Sequence, residues 1–106
     1  AIYRIDSEQR KILHLAAVFA CNFSNHLYHL ANTVLATNNL QFDLLRPLIM
    51  ETALKVQDDL PLAVQTGPAV RQDEQTMKNH LELLQSKPEL QEIYQTLSNS
   101  IKKTHL

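Results

Sequence analysis

The sequence has one glycine, one cysteine and no tryptophan in 106 residues. Glycine is the most restrictive shortage, since average usage is about 7%. A dinucleotide fingerprint needs three glycines and a P-loop two, so neither cofactor-binding motif can lie within this chain. A turn-rich all-β fold, which draws on glycine for positive φ, is equally disfavoured. The lone Cys21 cannot form an intramolecular disulfide, and its place in the apolar run Leu15–Cys21 fits a reducing compartment. A cytoplasmic location is therefore expected. That run is far short of the roughly 20 residues of a membrane span, so no membrane partner is expected. Ten Lys plus Arg against eleven Asp plus Glu leave no electrostatic footprint of a nucleic-acid partner. No charged n-region or cleavage pattern follows Ala1, so no secretory signal is expected. The initial alanine points instead to a processed or truncated product.

With 44% hydrophobic residues, the chain fits a single domain over residues 1–106. Ile2, Tyr3, Arg4 and Ile5 read as an extended entry. Asp6 or Ser7 can then cap a helix, with Gln9 placed for a capping-box contact back to Asp6. No Gly or Pro interrupts the helical pattern until about Thr37, and Asn38 and Asn39 are good terminators because Asn tolerates the left-handed conformation. A helix over about residues 7–37 would be roughly 45 Å long at 1.5 Å per residue, whereas a domain of this size has a radius of gyration of about 13 Å. It should overhang its own domain.

A second helix is expected from Asp43 as cap, with Pro47 in its first turn, to about Asp58. Its apolar stripe is Leu44, Leu45, Leu48, Ile49, Thr52, Ala53 and Val56. Leu60 to Gln72 should be irregular, with one helical turn near Leu62–Val64. Asp73 caps a third helix that turns Met77, Leu81 and Leu84 inward. Ser86, Lys87 and Pro88 break it, and Pro88 suits the first position of a fourth, whose buried face is Leu90, Ile93, Tyr94, Leu97 and Ile101. His80 and His105 read as surface residues. The expected class is all-α, a bundle of one long N-terminal helix and three shorter ones.

On a wheel of 100° per residue, Phe19, Phe23, Leu27, Leu30 and Val34 share one broad side of the long helix with Ala16, Ala20 and Ala31. His14, Asn22, Asn25, His26, His29, Asn32 and Thr33 share an arc of roughly 120°. From Lys11 to Thr37 only histidines could carry charge, so the helix should be covered on most sides. The arc has two main readings. Its members are buried or interfacial groups that satisfy one another, as buried polar groups must; or Asn22, Asn25 and His26 point into a cleft and position a polar substrate. A metal site is a remote third, since His26 and His29 have no carboxylate or thiolate on their face and His14 is three turns away. For Cys21, no Lys, Arg or helix N-terminus is at hand to activate the thiol, so it reads as a small buried hydrophobe. In the loop Thr66–Asp73, Gly67 can take positive φ, Pro68 stiffens the next bond and Asp73 caps a helix. Arg71 is left over, either to pair with Asp73 or Glu74 or to face an anionic ligand.

The series Arg10, His14 to Phe19, Asn22, Phe23, Asn25, His26 and Leu27, followed by Thr66, Gly67, Pro68, Arg71 and Asp73, resembles a known family. It is similar to the helical C-terminal domain, a domain of unknown function, that follows a Rossmann-like domain in NADP oxidoreductases. These are related to deazaflavin-dependent NADP reductase and, more distantly, to pyrroline-carboxylate reductase and 6-phosphogluconate dehydrogenase. The resemblance implies a 6-phosphogluconate dehydrogenase C-terminal-like fold, homodimerisation through the long helix and one wall of a substrate cleft. His14, Asn22, Asn25 and His26 would be wall residues, and Thr66 and Arg71 loop residues near the cleft. The resemblance gives no role to His29 or Cys21 and names neither a substrate nor a proton donor. NADP would bind the parent protein through an upstream Rossmann domain that this chain lacks, so the chain alone would not be an enzyme. The competing expectation is a stand-alone helical interaction module whose polar stripe is an interface.

Overall fold

The computed structural model describes residues 4–106; Ile2 and Tyr3 of the expected extended entry lie outside them. All regular structure among the described residues is helical, so the class is all-α. The chain divides between Pro47 and Leu48 into two compact units.

The first unit is built on one continuous helical rod, α1 (Ser7–Ala17), a π-helical segment (Val18–Phe23) and α2 (Ser24–Thr37). Its start is the expected capping box: Asp6 Oδ1 accepts from the Gln9 amide at 2.8 Å, and Gln9 Oε1 accepts from the Asp6 amide at 3.0 Å. Its end is equally local. Asn39 takes φ +59°, the Leu40 amide donates to the Leu35 carbonyl at 2.9 Å and the Asn39 amide to the Ala36 carbonyl at 3.1 Å. That pair satisfies carbonyls that a helix end otherwise leaves bare. The rod therefore has the expected ends.

The π segment is not foreseen by a single helical wheel. Each extra residue in the ladder offsets the downstream side chains by about 100°, so angular positions in α1 do not carry over to α2. His14 precedes the offset, Asn22 lies within it, and Asn25 and His26 come after it. The rod is also bare where covering was expected: Ile12 is 66% exposed, Phe19 64% and Phe23 49%, and Cys21 is exposed too. After the rod, a 3-10 turn (Phe42–Leu44) leads into α3 (Arg46–Asp58). Asp43 sits inside that turn and does not cap α3. Its Oδ1 accepts instead from Arg46 Nε at 2.7 Å.

The second unit holds most of α3, a 3-10 turn (Pro61–Val64), α4 (Glu74–Leu83) and α5 (Pro88–Thr104). The loop before α4 folds as the sequence suggests. Gly67 has φ +104°, the Asp73 amide reaches back to the Pro68 carbonyl at 2.9 Å, and Asp73 Oδ1 caps α4 through the Thr76 amide at 3.1 Å. Gln72 takes φ +56°, a left-handed conformation uncommon outside Gly and Asn. Met77 and Ala69 are each 4% exposed and Ser98 is also buried. Leu90, Ile93, Tyr94 and Ile101 are half-buried as expected, whereas Leu97 is exposed. His80 is not a free surface residue. Its Nδ1 lies 2.7 Å from the Tyr94 hydroxyl, and the two rings meet edge to face, tying α4 to α5.

Candidate functional site

Residues 25, 28 or 29, and 32 fall on one face of an α-helix. On α2 these are Asn25, Tyr28, His29 and Asn32, and with Phe42 of the 3-10 turn they line a shallow groove of about 200 Å³. Phe42 is half-buried, and the Arg46 guanidinium lies 5.0 Å from its ring centroid. Because Arg46 also holds Asp43, two residues of the turn, Phe42 and Asp43, are tied to one side chain. The helix backbone occupies some nearby polar groups: Thr33 Oγ1 donates to the His29 carbonyl at 3.2 Å, and Thr37 Oγ1 to the Thr33 carbonyl at 2.8 Å. The Asn25, His29 and Asn32 side chains remain as donors and acceptors. Two amides, an imidazole and a phenol beside an aromatic ring, with no carboxylate among them, suit recognition of a neutral hydrogen-bonding group.

The sequence candidates are distributed unevenly. Asn25 lines the groove. His26 lies off it, with its ring centroid 6.2 Å from that of His29. His14 and Asn22 are exposed on the rod. Among the described residues, no three His, Cys, Asp or Glu side chains are grouped so as to hold a metal ion. Thr66 lines a different pocket, in the second unit, of about 160 Å³, with Lys55, Thr52, Val56, Pro61, Val64 and Gln65. Arg71 is largely exposed, its Nη2 3.9 Å from Asp73 Oδ2, a loose contact that leaves the guanidinium accessible. Asp73 is held below the usual carboxylate range chiefly by the Thr76 hydroxyl and amide, with Arg71 contributing less.

Groove residues without an assigned role are partly detectable from sequence. Tyr28, His29 and Asn32 are given by the helical spacing counted from Asn25. Phe42 and Lys55 carry no such signal, because each meets its neighbours only after a turn of the chain.

Residues 1–101 match the model of a family described as "Domain of unknown function (DUF2520)". The chain belongs to this family. It is also similar to a crystal structure of BF3122 from Bacteroides fragilis, described as a putative NADP oxidoreductase, with 54% sequence identity and a TM-score of 0.91. That match covers 95% of this chain and 39% of the other. The DUF2520 chain thus spans well under half the length of the solved relative. No curated protein matches it. Among the described residues no helix is long and apolar enough to cross a membrane.

Proposed function

We propose that this DUF2520 chain is the dimerisation and substrate-cleft domain of an NADP-dependent oxidoreductase and does not catalyse alone. The observation that carries this reading is the 54% identity to a protein described as a "putative NADP oxidoreductase", of which the chain spans 39%. The rest of such a protein has room for the glycine-rich nucleotide-binding domain that a chain with one glycine cannot supply. Cytoplasmic NADP is then the cofactor of the parent, held outside this chain.

Two local features support the roles of the domain. The rod exposes Ile12, Leu13, Leu15, Phe19 and Phe23, an apolar run of the kind that marks a protein interface, and a second copy of the rod would cover it. The Asn25 groove supplies uncharged hydrogen-bonding groups for a small polar substrate, with His14, Asn22 and His26 of the same rod as the further cleft residues. The alternative, a stand-alone interaction module, draws on the same exposed rod but leaves the groove without a use.

The test is the protein together with the region encoded before Ala1. Tight NADPH binding and reductase turnover are expected, and Asn25→Ala should lower kcat while leaving the melting temperature essentially unchanged. Absence of a strand and glycine-rich turn upstream would overturn the reading. Parallel loss of activity and melting temperature in Asn25→Ala would instead make the groove structural.

A further inference from the structure

The pocket of the second unit has a composition unlike the groove. Val56, Pro61 and Val64 give it an apolar lining, Lys55 is the one charged residue among the described residues that line it, and Thr66 sits at its edge. No acidic side chain is among them. The counter-charge at hand is Glu51, one turn back on α3, whose Oε1 lies 3.7 Å from Lys55 Nζ with both side chains well exposed. A pair of that kind contributes at most about 1 kcal/mol, so a ligand anion can replace it. Donors are also available. Gln65 Nε2 commits one N–H to the Thr66 carbonyl at 3.0 Å and keeps the other, and Lys55 has three.

From this juxtaposition we infer that the Lys55, Val56, Pro61, Val64 and Thr66 pocket binds the carboxylate end of a short aliphatic acid. Size limits the ligand: the volume of about 160 Å³ is below the roughly 300–1,000 Å³ of pockets that take drug-sized molecules. One ammonium beside apolar walls suits a monoanion with a hydrocarbon tail. A phosphate would call for more donors than the pocket offers, usually an Arg fork or a helix N-terminus. The inference is independent of the oxidoreductase reading, because every group it uses lies within the second unit.

Isobutyrate is a suitable probe, followed by methyl NMR of the protein with isobutyramide and inorganic phosphate as parallel titrants. Isobutyrate should shift the Val56, Val64 and Thr66 methyl signals saturably at millimolar concentration, leaving signals from the Asn25 groove in place. Isobutyramide, the neutral isostere, should bind at least about tenfold more weakly, as should Lys55→Met toward isobutyrate. Thr66→Val provides a second variant whose smaller loss is read without removing the cation. Equal shifts with isobutyramide, undiminished binding by a folded Lys55→Met protein, or stronger saturable binding of phosphate at the same methyls would each overturn the assignment. So would isobutyrate shifts spread evenly over the surface lysines.

Discussion

The two units close themselves differently. In the first, every side-chain hydrogen bond among the described residues spans three or four positions: the capping box, Lys11 to Glu8, the Thr and Asn contacts to the preceding helical turn, and Arg46 to Asp43. These order a helix locally but attach it to nothing distant. In the second, His80 meets Tyr94, Gln91 Nε2 donates to the Leu81 carbonyl at 2.8 Å, and Lys102 Nζ lies 3.1 Å from Glu74 Oε1. The buried Ala69, Met77 and Ser98 all belong to this second unit. An isolated helix draws little stability from propensity alone and normally depends on packing of its apolar face. Side-chain hydrogen bonds therefore tie the first unit together only along its own chain, whereas the second carries cross-element ties of its own.

The strongest way to break this contrast is at the rod. Phe19 and Phe23 stack edge to face, with centroids 5.1 Å apart, and both are exposed. The double variant Phe19→Asp with Phe23→Asp should abolish self-association altogether, read by light scattering as a fall to the mass of one chain. A wild-type protein already monomeric at high micromolar concentration would remove the basis of the dimer proposal. Next in size is Met77→Ala. Truncating this 4%-exposed side chain should cost about 2–5 kcal/mol in chemical denaturation, through lost apolar burial and the cavity left behind. A loss below about 1 kcal/mol would mean that the second unit is not organised around Met77.

Legibility in the sequence obeys the same division between local and distant effects. Helix ends are legible because their chemistry is local: Asp6 with Gln9, Asn38 with Asn39, Gly67, Asp73 and Pro88 each act within a few residues. The π segment is not legible, since Val18–Phe23 contains no Gly or Pro and every residue in it is compatible with an ordinary α-helix. Asp43 is equally open, as an acidic residue one turn before an Arg can serve either as a cap or as its ion-pair partner. The site divides in the same way. Asn25 is visible as one of a regularly spaced polar series, but its opposition to Phe42 and the meeting of Lys55 with Thr66 arise only when a turn brings separated residues together. The His80–Tyr94 contact, fourteen positions apart, is hidden for the same reason.

A smaller perturbation sharpens the comparison by removing one cross-helix tie. Tyr94→Phe deletes the hydroxyl partner of His80 and should cost about 1 kcal/mol. Burial, with a lesser contribution from the Asp73 charge, raises the Tyr94 pKa above its ordinary value. The unfolded chain therefore loses its tyrosine proton first as the solution becomes alkaline, and stability should fall as pH rises through the ordinary tyrosine range. Denaturation curves for Tyr94→Phe should lack this component. An unchanged alkaline slope would mean that another group controls it.

The smallest predicted change lies at the opposite end of the pH scale. The Thr76 hydroxyl and amide favour the ionised form of Asp73, so its folded-state pKa is lowered. The cap is fully effective above the unfolded carboxylate pKa, and its contribution disappears as pH falls through the lower folded-state value. Asp73→Ala should therefore reduce the melting temperature at neutral pH, with the gap to wild type narrowing on acidification. Asp6→Ala, at the corresponding cap of the rod, is the matched control. Asp6 belongs to the unit without distant side-chain ties, so its loss should emerge mainly as faster amide exchange in the first turn of α1, with little change in the melting of the second unit. If the two cap variants instead lower both signals equally, the units melt as one cooperative body, and the division at Pro47 has no counterpart in stability.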